Sequence, residues 1–386
     1  MLILHVITDL RTGGAEIQLK QLVLGSDPSR FRHVVVSLGD GGPLAIELQA
    51  AGVEVHSLCM KRGLSSLRGI VRLMTLLRRI KPDVLHGWLY HGCLMSLLGV
   101  GLAGVPHLIW GIRSANPQLQ GYGFITRRVV YLCARLSRFP DTIIVNSEAG
   151  RIAHQELGFE TTKMTVIPNG VDVELYRPDT EAREAIREEL ALSHDTLLIG
   201  MFARYSPMKD HDTFLRAVSL VHPRHPHVHF LLAGKGIDMN NNHLSQLLRK
   251  NRIHNVVHLL GIRRDMPRLT AALDIACLSS WNESFPNVIA EAMSCAIPCI
   301  ATNVGDVAKI VGRAGQLIPA RTPQALADSL FQLVELDPVE RQKLGHQGRQ
   351  RMCSEFSAGQ ALRLYDSMYE NFRGYVGLGA ARSVTS

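Results

Sequence analysis

Short apolar runs alternate with amphipathic stretches along most of the chain. Near-continuous Val, Ile and Leu segments fall at Leu2–Ile7, His33–Leu38, Glu54–Leu58, Val84–His86, His107–Gly111, Thr142–Asn146 and Lys163–Ile167. Runs without alternation fit parallel strands buried on both faces. Between them, Ala15–Leu24, Pro43–Ala51 and Leu67–Ile80 carry apolar residues at helical spacing. After the loop from Asn169 to Pro178 the pattern restarts. Strands are expected at Thr196–Phe202, Val228–Ala233, Val256–Leu259, Ile275–Leu278 and Pro298–Thr302. Helices are expected at Asp212–Val221, Leu244–Asn251, Met266–Ala272, Pro286–Cys295 and Pro323–Glu335. Strand–helix–strand repetition gives an α/β fold of two doubly wound parallel sheets. The expected divisions are 1–172, 173–356, a terminal helix over 357–373 and a frayed tail over 374–386. Open parallel sheets bind ligands beyond the carboxyl ends of their strands, so two such domains facing each other would line a central cleft.

With 46% hydrophobic and 20% charged residues in a chain of 386, disorder and collagen-like repetition are excluded. Seven cysteines without a CxxC pair argue against a disulfide framework and a zinc knuckle. The chain opens without a basic, apolar leader, which fits a cytoplasmic protein. Val84–Ile112 has no formally charged residue but contains Pro106, several Gly and three His, and reads as strand, helix and strand rather than a membrane span.

The net charge of +8 is uneven. Residues 1–170 hold 18 basic and 11 acidic residues, and the remainder 24 and 23. The surplus gathers in Lys61, Arg62, Arg68, Arg72, Arg78, Arg79 and Lys81, and again in Arg127, Arg128, Arg135 and Arg138. Both stretches also carry an apolar helical face. Such helices suit an anionic membrane surface, at the inner face of the cell membrane, or are ordinary core helices with a solvated outer face. Base-reading motifs are absent, so no nucleic-acid partner is expected.

Residues just after strands carry the candidate chemistry. Gly13 and Gly14 precede a helix, where backbone N–H groups can approach an anion. His91 follows the strand at Val84, close to Trp88 and Tyr90. Arg204 and Lys209 place two cations on one post-strand loop, a seat for a diphosphate, although pairing with Asp210 and Asp212 is the plainer alternative. Gly234 offers backbone access after the next strand. In Glu283-Ser284-Phe285-Pro286-Asn287-Val288-Ile289-Ala290-Glu291, Pro286 suits the first helical position, with Ser284 or Phe285 as cap. The first turn, 286–289, would then present free N–H groups. Glu283 precedes that turn and Glu291 lies one turn beyond Asn287. Two carboxylates around a phosphate seat suit a ligand with sugar hydroxyls on both sides of its phosphates. The histidines at 222, 225, 227 and 229 read as a solvated loop, so no metal is expected.

The Glu-x7-Glu stretch resembles the signature of retaining glycosyltransferase family 4, of GT-B fold. Gly13 to Glu16, the His91 loop, Asn146-Ser147-Glu148, Val166 to Asp172, Arg204 with Lys209, Gly234-Lys235-Gly236, Gly261 and Asp265 stand in that family's order. The resemblance implies a nucleotide-sugar donor, without cofactor or divalent metal, and a glycan or lipid-linked acceptor. It implies that Arg204 and Lys209 bind the donor diphosphate, that Glu291 holds the ribose and that Glu283 holds the transferred sugar. Backbone groups from Ser284 through Val288, with Gly13, Gly14 and Gly234, would complete the donor site, and His91 would lie near the reacting carbon. Lys309 stands where members often carry an acid. An epimerase of the same architecture, or a non-catalytic nucleotide-sugar binding module, are the alternative functions.

Overall fold

A computed structural model of the chain describes all residues except Thr12, 61–66, Pro117, Gln120 and 381–386, and only the backbone over 373–380. Lys61 and Arg62 of the first basic stretch therefore lie outside the described residues. The chain divides into two units, one of Met1–Gly170 with the segment from Gly359 onward, the other Val171–Ala358.

The first unit contains β1 (Leu2–Ile7), α1 (Gly14–Gly25), β2 (Arg32–Ser37), α2 (Pro43–Ala50), β3 (Glu54–Ser57), α3 (Leu67–Ile80) and β4 (Val84–Trp88). These are followed by α4 (Leu89–Ala103), β5 (His107–Ile112), α5 (Phe124–Leu136), β6 (Thr142–Val145), α6 (Glu148–Glu156) and β7 (Met164–Val166). Among the described residues its sheet has seven strands in the order β3-β2-β1-β4-β5-β6-β7. Every pair is parallel. Residues 84–112, uncharged in sequence, resolve into β4, α4 and β5. Among the described residues no helix is long and apolar enough to cross a membrane.

The second unit contains α7 (Thr180–Glu189), β8 (Leu197–Phe202), α8 (His211–Val221), β9 (Val228–Ala233), α9 (Asn242–Lys250), β10 (Val257–Leu259), α10 (Met266–Ala271) and β11 (Ile275–Leu278). It continues with α11 (Asn287–Ser294), β12 (Cys299–Thr302), α12 (Val307–Val311), β13 (Gly315–Ile318), α13 (Pro323–Glu335) and α14 (Pro338–Glu355). Its parallel sheet runs β10-β9-β8-β11-β12-β13. In both sheets the order reverses beside the unit's first strand, the position where a crevice forms at the carboxyl edge.

Helix starts follow local chemistry. Ser147, Asp179, Asp210 and Asn241 each cap a helix by accepting a backbone N–H from its first turn. The last helix, α15 (Ala358–Ala380), runs beyond the segment expected to end at 373. Tyr365, Met368, Tyr369 and Phe372 on it join the buried core of the first unit with Phe31 and Trp88. The Tyr369 hydroxyl meets Nδ1 of the fully buried His86 at 2.8 Å.

One device recurs at the amino ends of the strands. Asp83 before β4, Asp141 before β6 and Asp274 before β11 each accept the N–H of a neighbouring strand's residue, from Leu2 at 2.7 Å, Leu108 at 2.8 Å and Leu198 at 2.8 Å. The backbone N–H of each aspartate returns a bond to the same residue's carbonyl. The carboxylates fix strand register and satisfy the edge N–H groups.

Candidate active site

The carboxyl edge of the second sheet gathers the charged candidates. Lys209 ends a short helical turn, Pro207–Lys209, after β8, and Glu283 follows β11. Their side chains form an ion pair, Lys209 Nζ to Glu283 Oε1 at 2.6 Å, with 18% and 10% of each side chain exposed. The pairing with Asp210 and Asp212 is absent. Asp210 instead caps α8, accepting from Thr213 N at 3.2 Å and Thr213 Oγ1 at 2.7 Å. Asp212 pairs with His243 at 3.3 Å. Arg204 is exposed, with no ion-pair or hydrogen-bond partner for its guanidinium among the described residues.

Sequence reasoning missed what holds the Lys209 turn in place. Buried Ser279, just past β11, donates from one hydroxyl toward the carbonyls of Lys209 and Asp210 at 2.9 and 3.0 Å. The Trp281 backbone N–H donates to Met208 O at 3.0 Å, and its indole N–H to Pro207 O at 2.9 Å. The tail of β11 thus clasps the turn that β8 leads into. Asp210 adopts the left-handed region at φ +50, which its own capping bonds compensate. The Asp-x-x-Thr spacing signals the cap, whereas nothing local to Ser279 or Trp281 announces a clasp between two strands.

Gly234 has a second reason to be glycine. Its φ is +148, and a Cβ there would lie 2.3 Å from the Ala203 carbonyl oxygen and 2.9 Å from Arg204 N. The residue lets the backbone leading to Arg204 approach the end of β9.

The 283–291 segment needs a correction. The helix begins at Asn287, and Pro286 is its cap rather than its first residue. Proline has no N–H, and the N–H groups of Asn287 and Ile289 bond Phe285 O and Pro286 O, each at 3.0 Å. The free first-turn row expected over 286–289 is therefore mostly spent internally. Phe285 is buried in the core, while Ser284, Asn287 and Val288 remain half-buried. Burial pushes the Glu291 carboxyl up to about 7, opposed by a hydrogen bond from the Tyr176 hydroxyl.

In the first unit, Gly13 caps α1 and Gly14 is its first residue. The seat read from them holds an internal acid, since Glu16 Oε2 would lie 2.4 Å from a Cβ on Gly13. Burial raises the Glu16 carboxyl to about 7, with Asp9 adding to the shift. His91 is in the first turn of α4 rather than in a loop, because the helix starts at Leu89. It is half-buried, and desolvation lowers its pKa. Gly92 beside it packs so closely on β1 that a Cβ would lie 2.4 Å from Val6 O. Gly13, Gly14 and His91 belong to one unit, and the Arg204, Lys209, Glu283 and Glu291 group to the other.

Comparison with known proteins gives this arrangement a family. Residues 12–175 match the model described as Glycosyltransferase Family 4, and residues 195–335 the model described as Glycosyl transferases group 1. The chain belongs to the family 4, group 1 glycosyltransferases. This glycosyltransferase is 26% identical over 314 residues to the UDP-Gal:alpha-D-GlcNAc-diphosphoundecaprenol alpha-1,3-galactosyltransferase of Escherichia coli, covering 78% of this chain and 79% of that one. It is 25% identical to the capsular polysaccharide biosynthesis glycosyltransferase CapM of Staphylococcus aureus, over 88% and 90% of the two chains. Its fold is that of Anabaena Alr3699/HepE, solved with UDP and glucose, at TM-score 0.85 and 22% identity over 96% of this chain and all of that one. The GT-B architecture of two Rossmann-like domains is thus established.

The raised Glu291 carboxyl makes donor binding pH-dependent if it holds the ribose. The ionised form accepts at both oxygens, whereas protonation turns one of them into a donor. Donor affinity should then rise with pH through about 7 in the wild type, and Glu291→Gln should flatten that profile. Stability runs the other way. Between the ordinary 4.5 and about 7 the folded protein keeps a proton that the unfolded chain has released, so this group's contribution falls as pH rises. Calorimetric titration of a nucleotide-sugar across that window checks the sign, and an equally steep slope in Glu291→Gln would remove Glu291 from the ribose site.

Proposed function

We propose that this glycosyltransferase moves a sugar from a UDP- or GDP-sugar to a glycan or lipid-linked acceptor in cell-surface polysaccharide synthesis, with retention of anomeric configuration and no divalent metal. The Lys209–Glu283 pair at the carboxyl edge of the second sheet, with Arg204 on the same loop after β8 and without a side-chain partner among the described residues, carries this reading. The bond between the anomeric carbon and the nucleoside diphosphate breaks, its electron pair leaving with the phosphate. The sugar gains oxocarbenium character. The acceptor hydroxyl attacks on the same face and gives its proton to the departing phosphate, so no protein nucleophile is needed. Arg204 and Lys209 stabilise the charge growing on that phosphate, and Glu283 orients the sugar.

A thermal-shift panel of UDP-, GDP- and ADP-sugars tests the donor, because a ligand at ~100 times its Kd stabilises by about 2.7 kcal/mol. Transfer that persists in a chelator, with NMR assignment of the product anomer, tests the rest. No stabilisation by any nucleotide-sugar would overturn the reading.

The acceptor reading includes an anionic membrane surface at the cytoplasmic face. It is supported by α3 and α5, which both pack on α4 and contain no acidic residue. Arg68, Arg72, Arg78, Arg79, Arg127, Arg128, Arg135 and Arg138 are exposed, as are Leu67, Val71, Phe124 and Ile125. At about 1 kcal/mol per basic residue near such a surface, Arg127→Ala with Arg128→Ala should weaken binding to anionic vesicles roughly 30-fold. Flotation that ignores both the substitutions and the anionic lipid fraction would remove the membrane from the account.

A further inference from the structure

A cavity of about 370 Å³ opens in the second unit behind the Lys209 turn, between that turn, the start of α8, Trp281 and the lead into α13. The donor chemistry above uses none of the side chains that line it. Its carboxylates are already engaged, Asp212 through one oxygen only. Asp210 gives both oxygens to Thr213, and Asp212 meets His243. Its guanidinium groups are not. Arg216 and Arg321 are exposed and have no carboxylate or hydrogen-bond partner for their side chains among the described residues. Arg321 lies over the Trp281 ring, 5.1 Å from its centroid, and the indole N–H is fixed on Pro207 O. The lining therefore combines an oriented aromatic surface with two available forked cations.

That set matches a ring with apolar C–H faces and an attached oxyanion. Indole packs against a pyranose face, guanidinium grips carboxylate or phosphate oxygens in pairs, and Asp212 keeps acceptor capacity for a hydroxyl. We propose that this cavity binds an acidic sugar residue, its carboxylate or phosphate held by Arg216 and Arg321 and its ring against Trp281. The site is independent of the donor assignment, although its occupant would rest on Pro207 and Asp210, close to Lys209 on either side.

Tryptophan emission reads the site directly. The chain has three tryptophans, and Trp88 and Trp110 are fully buried in the first unit, so a ligand-dependent change reports Trp281. The full chain is titrated with glucuronate, glucose 6-phosphate, glucose and inorganic phosphate, with calorimetry in parallel. A saturable response is expected to glucuronate, to glucose 6-phosphate or to both, which separates a uronic acid from a phosphosugar. Arg216→Ala with Arg321→Ala, both exposed, should weaken it about tenfold or more, as the loss of charge-assisted bonds requires. Lys209→Ala should leave it unchanged, so failure of the donor site would not be mistaken for failure here. Four results would overturn the proposal: no saturable response to either acidic sugar, equal binding of glucose, equal binding of inorganic phosphate, or unchanged affinity in the double variant.

Discussion

Lys209→Ala is expected to lower kcat for sugar transfer by about 100-fold or more, since loss of one donor aimed at transition-state charge costs about 2.7–4 kcal/mol. An ammonium has three N–H donors. One is committed to Glu283 at 2.6 Å, and the others remain for phosphate oxygens. The Ser279 and Trp281 bonds hold the turn before any donor arrives, so little reorganisation is left for the reaction itself. Arg204→Ala should cause a comparable loss without disturbing the pair. A purely structural role for Lys209 makes a different forecast. Removing it leaves the Glu283 carboxylate nearly buried without a countercharge, and that harm would be relieved by removing Glu283 as well. The comparison is therefore Lys209→Ala against Lys209→Ala with Glu283→Gln, measuring both kcat and melting temperature. Because Glu283 itself orients the sugar, turnover is referred to Glu283→Gln alone: catalysis by the ammonium predicts that the double variant regains stability yet stays about 100-fold below that single variant. Recovery of turnover in the double variant to the level of Glu283→Gln would sink the catalytic role.

The apolar runs were enough to read every strand but one, because buried parallel strands leave a dense Val, Ile and Leu signal; β13, at the edge of the second sheet and with only Ile318 buried, leaves none. Thr142–Asn146 against β6 and Val228–Ala233 against β9 agree to within a residue. The helix α14 left no such signal. Gly345 and Gly348 depress its helical pattern, yet they are there because α14 lies against its neighbours. A Cβ on Gly345 would meet Ala296 O at 1.9 Å. Its start was nonetheless marked, by Asp337 capping Val339 N and by Pro338 in the first turn. At the site, residue types and post-strand positions singled out Arg204, Lys209, Glu283 and Glu291 from sequence. The Lys209–Glu283 pair was not readable, since 74 residues separate partners that the β8–β11 adjacency brings together. The first turn of α11 was misread for a simpler reason: a proline can begin a helix or cap it, and Pro286, at ψ 83, caps it.

Asp274→Ala should destabilise the second unit by about 3–5 kcal/mol, the usual consequence of stripping one partner from a buried ion pair. Its carboxylate is 9% exposed and takes Arg187 Nη2 at 2.8 Å, Arg183 Nη2 at 2.7 Å and Leu198 N at 2.8 Å. Arg187, 1% exposed, also donates to Ala272 O at 3.0 Å and Thr196 O at 3.1 Å. Without Asp274 a guanidinium sealed among helix and strand ends would keep only carbonyl partners, and the first N–H of β8 would lose its acceptor. For a unit of this size the expected fall in melting temperature is roughly 10 °C. Asp83 and Asp141 use the same strand-end bond without a buried arginine, so Asp141→Ala, whose side chain is 44% exposed, should cost no more than about 1–2 kcal/mol. The contrast separates the charge from the hydrogen bond. Because Asp274 sits before β11 and Glu283 after it, at opposite ends of one strand, turnover per folded molecule at low temperature should stay near the wild-type value. Equal melting shifts for Asp274→Ala and Asp141→Ala would show that the buried pair contributes nothing beyond the backbone bond that all three aspartates share.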